Sequence, residues 1–482
     1  MQNAIENLEP KALWKHFAAL SAIPRGSGNE AAAREYVLAQ AAQNGLEATK
    51  DAVGNVVVRK PARPGREGAV MATLQSHLDM VCEKNETTQH NFDTDGIRLV
   101  RDGDWMKADG TTLGADNGVG VATCLAVMES QNIAHGPMEF VFTIDEENGL
   151  TGASDFPAGV LRSKYFLNLD GEEENTLCIG CAGGVNTVAR RKVRRRKAHP
   201  NAAWRIKVSG LQGGHSGVDI HKGRGNAVRV LGLALDALLT RFPVGIAEMS
   251  GGSKRNAIPR EAFAVVVADQ AHENDVRATV KMVESAARAE LGSFDPGLEI
   301  SVESATKPAE VLAEGDASLV VGLLISLPHG VLAMSPAVAG LVQTSTNLAT
   351  VSTSDAEVQI ETNQRSSVES SKKATARMVS TAFGLAGFQV EHSADYPGWK
   401  PEPTSDIVRM SQAVHEAVLG TKPELMAVHA GLECGVIGEK HPGMQMISFG
   451  PHILDVHSPS ERLKISSVEP FWRFLTGLLE RV

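Results

Sequence analysis

Cysteine is scarce in this 482-residue chain. The five are Cys82, Cys124, Cys178, Cys181 and Cys434. A sparse, odd-numbered set excludes a disulfide framework, and a reducing, cytoplasmic setting is expected. There is also no excess of basic charge: 47 Lys and Arg stand against 57 Asp and Glu, for a formal net charge of −10. That balance argues against a nucleic-acid partner, which needs a basic face. Long apolar runs are missing too. The longest, residues 319–327, falls well short of the roughly 20 residues a membrane span requires, so no membrane partner is expected. Residues 1–10 are polar and acidic. They lack a basic start followed by an apolar core, so no signal peptide is expected.

What is present is an ordinary globular composition, 43% hydrophobic and 22% charged, in a chain long enough for two or three domains. Helical periodicity over 29–44 and 117–129 alternates with apolar strand-like runs at 69–75, 138–144 and 165–169. This alternation predicts an α/β sheet with helices on both faces. The texture changes near Gly183 and Gly184. Residues 185–200 are strongly basic and read as a solvated hairpin, since no aromatics interleave the charges as nucleic-acid binding would want. Further helices are expected at 224–241, 272–291 and 370–385, with strands at 262–268, 298–303 and 357–362. The first texture returns with 406–419, 444–449 and 468–479. The reading is one α/β domain, 1–183 and 394–482, interrupted by an inserted α+β domain, 184–393.

Five short segments follow one grammar: an apolar strand or turn, then a side chain able to bind metal. They are Ser76-His77-Leu78-Asp79; the stretch from Thr112 through Asp116 to Gly118; Asp145-Glu146-Glu147; Asn168-Leu169-Asp170-Gly171; and His452 to His457. Each alone has a plainer reading: a hydrogen-bonded histidine, a helix-capping Asp116, a solvated acidic loop, a turn aspartate and a polar loop. Together they stand where ligands bind in α/β sheets, beyond the carboxyl ends of strands. His, Asp and Glu without Cys suit a hydrolytic metal pair better than a structural site. Two Zn²⁺ ions bring four positive charges; Asp116, Glu147 and Asp170 remove three, and a hydroxide removes the fourth.

The segments SHLDM, TTLGADNG, TIDEENGLTGA, NLDG and PHILDVHSP resemble the metal motifs of the dinuclear zinc aminopeptidase, carboxypeptidase and aminoacylase superfamily. QSHLDMV, HAGLECG and the long insertion bring the chain nearest to the bacterial Xaa-His (aminoacyl-histidine) dipeptidases, the peptidase D or carnosinase-like group. The resemblance spans essentially the whole chain. It implies a phosphorylase/hydrolase-like catalytic domain with a mixed central sheet, carrying an inserted lid and dimerisation domain. It also implies two Zn²⁺ per chain, with Co²⁺ or Mn²⁺ as substitutes. Asp116 would bridge the metals, Glu147 and His457 would complete one site, and His77 and Asp170 the other. Glu146 would be the general base and Asp79 would orient His77. The peptide bond between Asp116 and Asn117 would be cis.

Outside the metal motifs, the resemblance implies that His215, in the Gly213 to Gly217 loop, steadies the oxyanion, and that Arg365 binds the substrate carboxylate. Asn256 would bind nearby polar substrate atoms. Glu433 would receive the substrate amine, or else cap the start of a helix. A small-peptide substrate and a homodimer through the lid are the partners implied. Another amidohydrolase of the superfamily, a tripeptidase, aminoacylase or deacylase, fits the same metal motifs. An inactive binding relative would lack Glu146 or a ligand, and none is missing. A two-metal phosphoesterase would want a phosphate cradle. Cys178 and Cys181 form a lone CxxC in an apolar strand and read as buried thiols.

Overall fold

Four apolar segments become neighbouring parallel strands in the computed structural model, which describes residues 4–482. They are Met138–Thr143, Ala72–His77, Tyr165–Asn168 and Gln445–Ser448, in that spatial order. Every residue of the first three is buried. Strands covered on both faces need apolar or internally bonded side chains at every position. The polar exceptions are bonded accordingly: Asn168 Nδ2 donates to Gln75 Oε1 at 2.6 Å and Gln75 Nε2 to Thr143 Oγ1 at 3.1 Å. Further strands on both sides of this centre complete an eight-stranded mixed sheet. Helix Ala115–Glu129 packs on strand Ala72–His77 and on helix Lys11–Ser21. The first three residues of the segment considered for a signal lie outside the described residues.

The chain divides into two compact units. One comprises Met1–Cys181, Trp399–Ala427 and Leu432–Val482; the other comprises Ala182–Gly398 and Val428–Gly431. The divisions fall at 181/182 and 398/399, against the expected 183/184 and 393/394. They also give the second unit a short excursion, Val428–Gly431, that the sequence reading placed with the α/β domain.

The second unit is built on a nine-stranded antiparallel sheet. Helices Ala227–Arg241, Glu273–Leu291, Glu314–Ser326 and Glu369–Leu385 contribute to its apolar core around Trp204, Leu231, Leu235 and Phe383. The first of these starts where Asn226 Oδ1 accepts the N–H groups of Val228 and Arg229, a side-chain cap for donors the helix cannot satisfy. Its apolar residues recur at helical spacing, so Val228, Leu231, Leu235 and Leu238 are buried together.

The basic run is not a hairpin. Gly183–Lys192 is an internal strand between Glu357–Ser366 and Gln389–Tyr396, and Arg195–Lys197 pairs with Glu310–Leu312. Its charges find partners distant in sequence: Arg190 pairs with Glu391, Arg191 and Arg194 share Asp316, and Arg195 donates to three backbone carbonyls. Cys178 and Cys181 are buried on strand Thr176–Cys181, as read.

Candidate metal centre

The carboxyl ends of the four parallel strands converge, and each delivers one expected segment. Ala72–His77 ends on His77, with Asp79 beyond it. Met138–Thr143 leads into Asp145, Glu146 and Glu147. Tyr165–Asn168 leads to Asp170, and Gln445–Ser448 leads to the loop carrying His457. The last two loops touch at Gly171 and Gly450. A Cβ on Gly450 would stand 1.9 Å from the Gly171 carbonyl oxygen, so only glycine permits this approach.

His77, Asp116, Asp170, Glu147 and His457 come together. His77 Nε2 lies 3.1 Å from Asp116 Oδ1 and 3.3 Å from Asp170 Oδ1. His457 Nε2 lies 3.2 Å from Asp116 Oδ2 and 3.0 Å from Glu147 Oε2. Asp116 therefore turns one oxygen to each imidazole and belongs to two three-donor groups, one with His77 and Asp170, the other with Glu147 and His457. A third group joins His77, Glu146 and Glu147. Asp116 does not cap its helix: no side-chain cap is present there, and its backbone is non-helical at ψ 111°. The peptide bond between Asp116 and Asn117 is cis.

Asp79 is the hub beneath. Its Oδ1 lies 3.3 Å from His77 Nδ1 and accepts the Glu146 N–H at 3.0 Å. Its Oδ2 accepts the Glu147 N–H at 3.1 Å and the Ser27 hydroxyl at 2.7 Å. One carboxylate thus orients an imidazole and fixes the turn bearing both glutamates. The chain does turn there: Asp145 adopts φ 51°, and Leu150 N–H bonds back to the Glu146 carbonyl. Both glutamates consequently face His77 rather than opposite sides of an extended strand.

Too many carboxylates meet here for the protein's own cations. Burial pushes Asp170 up to about 7, with Asp116 and Glu147 adding to the shift. Burial likewise holds the Glu146 carboxyl well above its usual range, with Asp170, Glu433 and Glu147 adding. His457 rises to about 11 through its bonds to Asp116 and Glu147. Burial disfavours charge on His77, yet Asp170, Asp116 and Asp79 outweigh it and raise the ring well above its ordinary value. Asp79 is held at about 2 against the effect of burial, mainly by His77. In addition, Glu147 Oε1 is buried with no hydrogen-bond partner, and Asp170 Oδ1 makes no hydrogen bond and has only the His77 ring nitrogen beside it at 3.3 Å. Buried, under-bonded carboxylate oxygens beside imidazoles fit divalent cations, and the oxygen and nitrogen donor set fits a hydrolytic metal such as zinc.

Glu433 opens helix Glu433–Lys440, as an acidic residue of its first turn, and the helix start carries no side-chain cap bond. Its Oε2 accepts from Gln75 at 2.5 Å and Thr143 at 2.8 Å, while Oε1 is buried without a partner. Burial pushes its carboxyl up to about 7.

The other expected residues belong to the second unit. Arg365 is buried; its Nε donates to Asn363 Oδ1 at 3.0 Å and its Nη1 to the Tyr396 hydroxyl at 3.0 Å. Among the described residues it makes no ion pair. His215 Nδ1 accepts the N–H groups of Gly217 and Val218 at 3.2 and 3.1 Å, so its proton resides on Nε2. Burial, with Arg365 adding, lowers this imidazole to about 4 and keeps it neutral. Asn256 is exposed, and its carbonyl accepts the Ser216 N–H at 2.8 Å.

Sequence reasoning missed Ser27, Arg25, Glu461, His429 and Tyr396. His429 is buried, bonded through Nε2 to Ser345 Oγ at 2.7 Å, and lowered to about 3 by burial and then by Arg365. Only HAGLECG, which opens with His429, was singled out in the sequence. Tyr396 and Ser27 lie in no such motif.

Comparison with known proteins gives a consistent result. A model described as peptidase family M20/M25/M40 matches residues 73–481. The cytosol non-specific dipeptidase of Escherichia coli (strain K12) is 36% identical over 480 residues, covering 99% of each chain. The crystal structure of aminoacylhistidine dipeptidase from Vibrio alginolyticus superposes with a TM-score of 0.93 at 40% identity, covering 99% of this chain and 98% of that one. Aminopeptidase PepT from Bacillus cereus, at 16% identity and a TM-score of 0.58 over 98% of both chains, shares the fold. Among the described residues, no helix is long and apolar enough to cross a membrane.

Proposed function

Because the chain belongs to peptidase family M20/M25/M40, we propose that it is a metal-dependent dipeptidase acting on Xaa-His dipeptides, β-alanyl-histidine among them, and on other dipeptides. The observation that carries this reading is the shared carboxylate: Asp116 gives one oxygen to each of two imidazole-bearing donor groups. His77, Asp116 and Asp170 would hold one ion; Asp116, Glu147 and His457 would hold the other. Zn²⁺ suits these donors, and Co²⁺ or Mn²⁺ could replace it. Bound there, divalent ions supply Lewis acidity toward water and toward the scissile carbonyl.

The chain's own residues do the rest. Glu146, a half-buried carboxylate of raised pKa, takes the proton of the attacking water and passes it to the leaving amine. Asp79 keeps His77 Nε2 aimed at the centre. Arg365, a buried guanidinium without a carboxylate partner, receives the substrate's terminal carboxylate. His215 offers an Nε2–H donor from a neutral ring, which suits an oxyanion. Asn256 contributes a polar contact, and the orphaned Glu433 oxygen receives the substrate's amine. A homodimer through the second unit, the lid, belongs to the same reading. In its support, edge strand Gly330–Met334 exposes Val331, Leu332 and Met334, an apolar edge that chains bury by pairing. The name of the Escherichia coli relative supports a cytoplasmic location.

The test is hydrolysis of β-alanyl-histidine and a panel of other dipeptides, tripeptides and N-acyl amino acids, before and after chelation. Dipeptide cleavage lost on chelation and restored by metal is expected. Cleavage confined to tripeptides or N-acyl amino acids would overturn the dipeptidase assignment.

A further inference from the structure

Glu461 takes part in none of these steps. It is 2% exposed, and among the described residues it makes no ion pair. Its two oxygens instead face four consecutive backbone N–H groups. Oε2 accepts from Leu113 at 2.7 Å and Gly114 at 2.9 Å; Oε1 accepts from Ala115 at 2.8 Å and Asp116 at 3.3 Å. These groups lie at the start of helix Ala115–Glu129, whose own N-cap, Gly114, has no side chain to satisfy them. A carboxylate is costly to bury unless fully bonded, and four amide donors meet that need.

The same backbone is gripped from its carbonyl side. Buried Arg25 donates through Nη2 to the Gly114 carbonyl, and through Nη1 to the carbonyls of Leu78 at 2.9 Å and Asp79 at 2.8 Å. Glu461 and Arg25 thus hold the segment that delivers Asp116. Arg25 also ties that segment to the one that delivers His77 and Asp79. Glu461 arrives from 345 residues away, on the loop between strands Ile453–Leu454 and Arg462–Lys464 that also carries His457. An ordinary helix cap comes from the residue next to the helix. Here the carboxylate comes from one ligand-bearing loop and fixes another.

We propose that Glu461 is a positioning residue of the metal centre: its carboxylate locks the backbone of residues 113–116, and so aims Asp116 at both imidazoles. The proposal rests on the reading of His77, Asp116, Glu147, Asp170 and His457 as a metal centre. In Glu461→Gln, an amide nitrogen must face two N–H donors whichever way it turns, so two of the four bonds are lost.

The experiment compares full-length wild type, Glu461→Gln, Asp116→Asn and Glu139→Gln. Glu139 is a control: it is equally buried, accepts the N–H groups of Arg162 and Ser163, and sits near the amino end of its strand, away from the centre. The readouts are Zn²⁺ affinity by competition with a chelator, melting temperature of the metal-free protein, and kcat and KM. Glu461→Gln should weaken Zn²⁺ binding about 10–100-fold, the usual cost of losing an outer-shell partner, and lower kcat with KM nearly unchanged. Glu139→Gln should lower the metal-free melting temperature and leave Zn²⁺ affinity alone. Wild-type affinity in Glu461→Gln, or a loss matched by Glu139→Gln, would overturn the positioning role. Should Glu461→Gln fail to fold, Glu461→Asp, too short by one methylene to span four amides, carries the same test. Equal Zn²⁺ binding by wild type and Asp116→Asn would instead overturn the metal-centre reading itself.

Discussion

The two imidazoles of the centre occupy unlike surroundings. The His77 side chain is 1% exposed, ends a central strand and lies within 3.3 Å of three carboxylates. The His457 side chain is 50% exposed, sits on a loop at φ 60° and meets two. The buried half is spaced by strand register, with Gln75 beside Asn168 and His77 beside Thr143. The open half relies on loop contacts: Arg462 to Asp455 at 2.5 Å and Glu461 to residues 113–116. The contrast teaches that sheet geometry builds an anchor, while a loop closes the centre on the side that solvent reaches. Asp116 serves both halves through separate oxygens, so it is where they depend on each other.

That contrast can be broken most severely at the shared residue. Asp116→Asn should abolish metal binding at both halves and reduce turnover by more than the roughly 10–100-fold that an outer-shell loss costs. A variant retaining either half at wild-type affinity would show that the halves are independent. Glu146→Gln separates chemistry from assembly: kcat should fall about 10²–10⁴-fold with metal content unchanged, as measured by steady-state kinetics and metal analysis. Near-normal turnover would remove Glu146 from the base role.

Unequal burial predicts unequal stability effects. In the metal-free protein, His77→Ala leaves buried carboxylates without their cation and should cost about 3–5 kcal/mol. His457→Ala, at an exposed position, should cost about 1 kcal/mol or less. Urea unfolding of the metal-free variants checks this, and equal costs would erase the distinction between anchor and closing loop.

The pH-dependent effect concerns two buried histidines with opposite shifts. His77 sits among carboxylates and is raised, whereas His429, buried near Arg365, is lowered to about 3 from 6.5. The unfolded chain binds the His429 proton below about 6.5 and the folded chain does not, so stability falls as pH drops from there toward 3. At about pH 4.5 this amounts to roughly 3 kcal/mol. His429→Gln should flatten the acid limb of a thermal-stability profile, and an unchanged limb would exclude this source.

Legibility in the sequence followed the range of the interaction. Strands at 72–77, 138–143 and 262–268 and most helices declare themselves by local periodicity, and the structure moves their ends by a few residues. The five metal-capable segments were legible because each lies just past a strand or turn. Interactions across the fold left no such trace. The basic run read as a solvated hairpin because Asp316 and Glu391, its partners, stand more than 100 residues away. Glu461 lies four residues past His457, beyond the PHILDVHSP motif, and nothing local marks it. Only folding reveals that its carboxylate meets the amides before helix Ala115–Glu129. The exposure of His457 against the burial of His77 was equally hidden, since both are simply histidines in polar motifs.

The most direct test of the shared carboxylate is calorimetric titration of the metal-stripped, full-length protein with Zn²⁺, in wild type, His457→Ala and Asp116→Asn. About two ions per chain are expected in wild type, about one in His457→Ala, retained by the buried half, and none held tightly in Asp116→Asn. A single ion in wild type, or undiminished binding in Asp116→Asn, would contradict that expectation.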